Sequence, residues 1–433
     1  MPCLRQGELC NWGSLMIPLR HRGLFSILNK SVWDYKVPVN INNWWYFGSL
    51  LGFMLLNQII SGFFLSTYYV AHVDHAFDSI VHINRDVYMG ALVRGFHING
   101  ASLFFLFMYI HIGRGIYYGC YRQAGVWYSG IILMVLLMAT SFLGYVLPWG
   151  QMSYWAAVVI TSLLSTIPYL GPGLVDWIWG GYSVGQATLT RFYSLHFIMP
   201  FIMVIVVIIH VGLLHESGSS NPLGLYDPSG VGMRSFHPLY SCTDLFFCLV
   251  AFLYLLKLSC FHTWMFVPCE NWIKADPMTT PKHITPEWYF LWIYAILRSA
   301  PTKGGGVALM ILAILALALM PLTPLTHWQG GTQFSPVGKM LFFSWVTNLL
   351  FMTWIGSQPA TWPYSYETVK GTIIYFGFYP VFLMNLAIKA NKFSVNKYNY
   401  YKLWTITFFV SCLVCSYYLF DPSYVLTFED FLL

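Results

Sequence analysis

The sequence predicts an all-α integral membrane protein with eight or nine transmembrane helices. Of its 433 residues, 57% are hydrophobic and only 9% are charged, whereas a soluble domain usually has about 25% charged residues. Several segments of about twenty residues are almost free of charge, as expected for helices that cross the hydrocarbon core of a bilayer. The net charge of +6 is modest and the basic residues are scattered, so nucleic acid is not an expected partner.

Hydropathy divides the chain into four regions. Residues 1–43 form an N-terminal segment, in which 15–36 are basic and amphipathic and predict an interfacial helix. Residues 44–235 contain four predicted spans that form a bundle, residues 236–394 contain four more, and residues 395–433 add an apparent ninth. The predicted spans are 44–70, 90–118, 127–148, 187–214, 242–262, 305–325, 339–357, 371–389 and 403–420. A small excess of Lys and Arg on the side of the N-terminus places that side inside.

Four histidines lie in the second and fourth spans. His97 and His111 are fourteen residues apart, and so are His196 and His210. Fourteen residues of α-helix advance about 21 Å and complete nearly four turns, so the members of each pair share a face and lie near opposite membrane surfaces. One such histidine is often an ordinary packing residue, but two pairs with the same spacing favour a binding site.

The second and fourth spans cross the membrane in the same direction, because one span separates them. His97 therefore faces His196 near the outer surface, and His111 faces His210 near the inner surface. Two facing imidazoles can bind a haem iron on both axial positions, which suits electron transfer because no position is left open for dioxygen. Zinc would require four ligands at each site. The sequence thus predicts two haems in a bundle of the first four spans, with these histidines as iron ligands.

Glycines repeat the same spacing on the first and third spans. Gly48 and Gly62 are fourteen residues apart, as are Gly130 and Gly144. Glycine lets a helix backbone approach a flat ring closely, although small residues also serve ordinary helix packing in membranes. The period shared by all four spans favours the haem interpretation.

Arginines stand next to three of the histidines. Arg94 precedes His97, Arg114 follows His111, and Arg191 precedes His196. These side chains are predicted to pair with haem propionates, and the alternative is that they reach the membrane interface as ordinary snorkelling charges. The nine cysteines have neither metal-site spacing nor the Cys-x-x-Cys-His pattern of covalent haem attachment.

From about Trp44 to Thr368, the chain resembles the cytochrome b family of the ubiquinol–cytochrome c oxidoreductases (respiratory complex III). The resemblance is carried by the motifs NWWYFGSLLG, HINGASLFF, GYVLPWGQMSYW, TRFYSLHFIMPF, HESGSSNPLG, FHPLYSCTD and PEWYFLWIYAILRS. It implies two b haems, the one of lower potential held by His97 and His196. A single chain with thirteen residues between the histidines of the fourth span is similar to the mitochondrial and bacterial type rather than the chloroplast one.

The resemblance also implies an activity and an assembly. A family member oxidises ubiquinol at an outer site, sends one electron to an iron–sulfur protein and passes the other through the haems. It reduces ubiquinone at an inner site, with net outward proton translocation. The implied partners are the Rieske iron–sulfur protein, a c-type cytochrome, other complex III subunits and membrane lipid, in a homodimeric complex. The mitochondrial inner membrane is preferred over a bacterial plasma membrane.

The resemblance assigns residues to the outer, quinol-oxidising site. Glu287 is the expected proton acceptor, since quinol oxidation releases two protons and a carboxylate can relay them. Tyr145 and Tyr294 match family tyrosines near the same pocket. The alternative for Glu287 is a charge at a helix N-terminus, because it follows Pro286 where a helix is predicted to begin.

At the inner, quinone-reducing site the resemblance assigns His215, just past the fourth span, and Asp244, at the start of the fifth. Both match residues that bind the quinone carbonyls and deliver protons, and Ser219 is expected to assist. Taken singly, His215 could be an interface residue and Asp244 a helix-start charge.

Three of the chain's departures from the family carry predictions. Ala156 replaces a glycine of the outer pocket and predicts resistance to methoxyacrylate inhibitors. Thr243 replaces the lysine that usually precedes Asp244, which predicts a different proton route to the inner site. The span 403–420 exceeds the usual eight and predicts a contact with a further subunit or a neighbouring complex.

Two other functional classes stay open at this point. A different di-haem membrane protein, such as a ferric reductase or a dehydrogenase anchor, would account for the histidines but not for the PEWY and HESGSSNP motifs. A transporter that relays protons through buried histidines would bind no haem.

Overall fold

The computed structural model describes residues 26, 29–225, 232–322 and 331–391. The regular secondary structure of these residues is helical apart from one antiparallel ribbon, so the all-α prediction is confirmed. The ribbon joins β1 (Lys36–Pro38) to β2 (Met233–Ser235). The helices are α1 Phe47–Ser66, α2 Ala76–Arg85, α3 Gly90–Tyr117, α4 Ala124–Val146, α5 Gln151–Ser162, α6 Gly171–Trp179, α7 Gln186–Ser217, α8 Leu239–Phe261, α9 Leu291–Arg298, α10 Lys303–Ala318, α11 Pro336–Gly356 and α12 Tyr364–Asn391.

Five helices of the described residues are long and apolar enough to cross a membrane. They are α1 with its preceding turn, α3, α4, α7 and α8, which correspond to the first five predicted spans. The predicted spans 305–325, 339–357 and 371–389 are largely helical as α10, α11 and α12, but as crossings they stay predictions. Helix α10 ends early, because Pro321 cannot continue the helical hydrogen bonding. The ninth span lies outside the described residues.

The first four long helices form a bundle. Helix α1 packs along α3, and α4 packs along α7. Each of the four contributes side chains to one apolar core, among them Met54, Phe105, Met134 and Met203. The residues that could face a cofactor are therefore held on neighbouring helices with a common core behind them.

A second helical group packs beside this bundle. Helices α9, α11 and α12 bury Trp292, Trp345 and Tyr375 against one another. The group is joined to the bundle by Tyr109 of α3, whose hydroxyl donates to the carbonyl oxygen of Tyr289 at 2.5 Å. This contact positions the segment around PEWY against the bundle.

The prediction of an interfacial helix over residues 15–36 is wrong at its end. Asn29–Trp33 form a single helical turn, and Lys36 already belongs to β1, where it pairs with Ser235. Pro38 suits an extended edge strand and cannot donate to a helix. The beginning of the predicted helix lies outside the described residues.

Candidate functional site: two histidine cavities

Two cavities lie in the bundle, one at each histidine level. The first, called the His97 cavity, has a volume of about 770 Å³, and the second, called the His111 cavity, about 460 Å³. The His97 cavity is lined by residues that include His97, His196, Gly62, Gly144, Arg94, Tyr145 and Glu287. The His111 cavity is lined by residues that include His111, His210, Gly48, Gly130, Arg114, His215, Ser219 and Asp244.

Four apolar residues line both cavities and so form the wall between them. Each lies on a different helix, midway between the two site residues of that helix (glycines or histidines). It is seven residues from the site residue of one cavity and seven from that of the other. Seven residues are close to two helical turns. These side chains therefore point to the same side of each helix as the site residues, at a height halfway between the two histidine levels. The four are Leu55, Phe104, Leu137 and Met203.

The predicted histidine pairs face each other. The ring centroids of His97 and His196 are 6.1 Å apart, and those of His111 and His210 are 6.5 Å apart. Two nitrogen–metal bonds of about 2 Å each, together with half the width of each ring, add up to a separation of about 6 Å. The spacing of the rings therefore suits one metal between each pair.

Hydrogen bonds orient three of the four imidazoles. Nδ1 of His97 lies 2.9 Å from Ser61 Oγ, whose own proton is donated to Asn57 O at 2.6 Å. The serine oxygen can then only accept, so Nδ1 carries the imidazole hydrogen. His196 Nδ1 likewise donates to Thr140 O at 2.8 Å. In both rings Nε2 keeps its lone pair for a metal.

His210 repeats the arrangement of His97. Its Nδ1 lies 2.9 Å from Ser129 Oγ, which donates to backbone carbonyls one turn back. His111 differs, because its Nδ1 lies 3.4 Å from Arg114 Nη2, a group that can only donate. Sequence reasoning missed the two serines, although each directly precedes a predicted glycine.

The four predicted glycines each face one histidine. A Cβ built on Gly144 would lie 2.4 Å from Cε1 of His196, which is a collision, and one on Gly62 would lie 3.0 Å from Cε1 of His97. Gly130 is tight, at 3.3 Å from His210, whereas Gly48 leaves ordinary contact, at 3.6 Å from His111. The glycines therefore make room for the imidazoles themselves, and not only for a ring between them.

Two of the three predicted arginines line the cavities. Arg94 is buried with Nη1 unpaired, and its guanidinium lies 5.0 Å from the ring centroid of Trp264. Arg114 has an unpaired Nε and lies 5.2 Å from the ring of Trp45. Arg191 is exposed and donates to the carbonyls of Trp177 and Ile178 at the end of α6, outside the His97 cavity lining.

The two remaining polar groups of the His97 cavity are Glu287 and Tyr145. Glu287 Oε1 and the Tyr145 hydroxyl are both buried without a hydrogen-bond partner. Burial raises the pKa of the Glu287 carboxyl from its usual 4.5 to about 8. Glu287 precedes a short 3-10 turn, Trp288–Phe290, but its side chain makes no capping hydrogen bond there. Glu287 therefore occupies the N-cap position that the alternative expected, while its Oε1 atom has no partner and is open to a ligand.

Tyr294 lies apart from this group. It is on α9, its hydroxyl donates to Ile284 O at 3.3 Å, and Arg298 stacks over its ring at 5.4 Å. It does not line the His97 cavity. Ala156 is buried on α5, 5% exposed, and is also outside that lining.

The predicted inner-site residues lie together on the His111 cavity. Helix α7 continues to Ser217, so His215 is in its last turn and not past its end as predicted. Asp244 Oδ2 accepts a hydrogen bond of 2.5 Å from Ser49 of α1. Ser219 follows the helix and donates to Ser220 O at 3.2 Å. The Thr243 hydroxyl donates to Leu239 O at 2.7 Å. The contact of Ser49 with Asp244 was not predicted from the sequence.

Known proteins match both halves of this arrangement. Residues 32–218 match the protein family Cytochrome b/b6/petB, and residues 274–376 match Cytochrome b(C-terminal)/b6/petD. A cytochrome b of Brachionus plicatilis is 48% identical over 355 residues, covering 82% of this chain and 93% of the relative. A chain of a solved hyperthermophilic respiratory Complex III is similar in structure, with a TM-score of 0.79 and 31% identity. The similarity covers 85% of this chain and 98% of the other.

Proposed function

The chain belongs to the cytochrome b family, and on that premise we propose that it is a di-haem subunit of a ubiquinol–cytochrome c oxidoreductase. The observation that carries the proposal is the pair of facing imidazoles at each cavity, 6.1 and 6.5 Å between centroids. Bis-histidine coordination of one b haem per cavity accounts for that spacing, for the three rings whose Nδ1 donates to an oxygen, and for the glycines where a Cβ would crowd an imidazole.

His97 and His196 would hold one haem, and His111 and His210 the other. Arg94 and Arg114 have buried, unpaired guanidinium nitrogens, which is unfavourable unless an anion such as a propionate is supplied. When bound, the haems supply one-electron carriers that connect the two cavities across the membrane. Arg191 is not used in this proposal, because it already binds the carbonyls at the end of α6.

Glu287 is the proton acceptor for ubiquinol in the His97 cavity, on the outer side of the membrane. Its unpaired Oε1 atom and the neighbouring Tyr145 hydroxyl offer one acceptor and one donor to a quinol headgroup. The carboxyl takes a proton only when it is ionised, so its raised pKa makes this step depend on pH. Tyr294 acts on the site indirectly, by tying Ile284 on the segment that leads to Glu287.

His215 and Asp244 bind and protonate ubiquinone in the His111 cavity, on the inner side. Asp244 is oriented by Ser49, and Ser219 lines the same cavity. Proton release at one cavity and uptake at the other couple turnover to net proton translocation. The chain holds no ligand set for an iron–sulfur or c-type centre among its described residues. As the family resemblance implies, turnover in this proposal involves a Rieske protein and a c-type cytochrome, in a dimeric complex of the mitochondrial inner membrane.

The proposal is tested by the haem b content of the purified complex. We expect two haems b per chain and a b-type reduced-minus-oxidised spectrum. His97→Ala and His111→Ala should each remove one haem, whereas the exposed loop residue His262 provides a control, His262→Ala, that keeps both. Absence of haem would favour a proton-relaying transporter, and haem without antimycin-sensitive quinol oxidation would favour another di-haem class.

A further inference from the structure

One tyrosine on the wall of the His111 cavity has no role in the function proposed above. Tyr35 directly precedes β1, and its carbonyl oxygen accepts a 2.8 Å hydrogen bond from the backbone N–H of Phe236. Its ring stacks on the imidazole of His215, with centroids 4.0 Å apart and planes at 15°. The ribbon and the stacked imidazole therefore fix the position of this ring.

The hydroxyl of Tyr35 is buried and has no hydrogen-bond partner among the described residues. The backbone N–H of Ser219 approaches its oxygen as a donor, too loosely to count as a full hydrogen bond. The phenol proton is thus left without an acceptor. Burial raises the pKa of this phenol, so at neutral pH it remains a donor. An unused buried donor is unfavourable, and a ligand oxygen in the cavity would satisfy it.

Other hydroxyls on the same wall are already engaged. Ser49 donates to Asp244, and Ser219 donates to a neighbouring carbonyl. Thr243, where the family resemblance predicts a lysine, lies outside the cavity lining and turns its hydroxyl back to its own helix. Tyr35 is therefore a donor that remains available to a molecule bound between His215 and Asp244.

We propose that Tyr35 is a quinone-binding residue of the His111 cavity, where its hydroxyl donates to a ring oxygen of the quinone headgroup. Its ring meanwhile holds the imidazole of His215 in a plane parallel to its own. This inference rests on the proposed function, since it requires that a quinone bind in this cavity. It adds to that function a donor contributed by the segment before β1 rather than by a membrane helix.

The test uses the purified, haem-loaded complex with its outer quinol site blocked by stigmatellin. Decyl-ubiquinol then reduces the haem only through the inner site, and antimycin should abolish that reduction. The half-saturating quinol concentration is measured for the wild type, for Tyr35→Phe, which keeps the ring, and for Tyr35→Leu, which removes it. Tyr240→Phe is the control, because the buried Tyr240 hydroxyl is already bonded to Pro38 O at 3.1 Å.

We expect Tyr35→Phe to raise the half-saturating concentration roughly 2- to 10-fold at an unchanged maximal rate, the range expected for one neutral hydrogen bond. Tyr240→Phe should leave it unchanged. A wild-type value for Tyr35→Phe, or an effect in Tyr35→Leu alone, would overturn the inference, because only stacking would then matter. If the wild type itself shows no antimycin-sensitive reduction, the proposed inner quinone site is refuted. That outcome is distinct from a failure of the role given to Tyr35, which only the variants test.

Discussion

Replacing Glu287 by glutamine tests the proposed proton acceptor directly. Glutamine keeps the shape of the side chain but cannot accept the proton of a quinol. With a pKa of about 8, raised by burial, about one carboxyl in a hundred is ionised at pH 6, about one in ten at pH 7 and half at pH 8. The rate that depends on the ionised form should therefore rise about tenfold per pH unit and level off above pH 8.

The size of the effect follows from the usual contribution of a general base. If that contribution is about 10²-fold, wild type and Glu287→Gln should differ little at pH 6 and about fifty-fold at pH 8. The assay is the initial rate of quinol-dependent cytochrome c reduction by the purified complex, from pH 6 to 9. The ratio of the two rates is the quantity of interest, because other titrating groups cancel in it.

Glu270→Gln provides the matched control, since Glu270 is an exposed carboxyl on the same connection. This variant should keep the wild-type pH profile. The reasoning would be refuted if the ratio of wild type to Glu287→Gln stayed constant across this range. It would also be refuted if Glu270→Gln gave the same loss, because a general change of charge near the cavity would then explain the effect.

Two further predictions concern the cavities, and a third, based on the family resemblance, concerns Ala156, which lies outside the His97 cavity lining. Gly144→Ala should cost one haem per chain, because its Cβ would lie 2.4 Å from the facing imidazole, whereas Gly48→Ala, with 3.6 Å, should keep both; haem analysis of the purified variants decides. Ser129→Ala should weaken haem retention by His210 about tenfold or more, since it removes the Nδ1 acceptor, and unchanged retention on dilution would contradict this. The native protein should turn over in azoxystrobin, and Ala156→Gly should restore inhibition; tight inhibition of the native protein would argue against the role given to Ala156.

The bundle and its histidine levels could be predicted from sequence because they depend on local regularities. Hydrophobic segments of membrane length define helices, and a spacing of fourteen residues places two side chains on one face whatever the surroundings. His97 with His111, and Gly130 with Gly144, were therefore expected to share faces before any packing was known. The structure brings each of these residues to a cavity at the expected level.

The ends of the elements were less predictable. His215 belongs to the last turn of α7, and the segment around Lys36 is a strand and not a helix. Both outcomes depend on what the chain meets in space: β1 forms because β2 lies beside it, almost two hundred residues later in the sequence. A reading based on local periodicity contains no information about such a partner.

The sequence by itself determined the long hydrophobic helices, which of their faces carry the histidines and glycines, and how far apart the two levels lie. Only the tertiary structure decided that Ser61 and Thr140 orient imidazoles, that Arg191 binds α6, and that Tyr35 stacks on His215. The physical reason is the distance along the chain over which each interaction acts. A helical period is set by hydrogen bonds over four residues, whereas these contacts depend on how closely separate helices and loops approach one another.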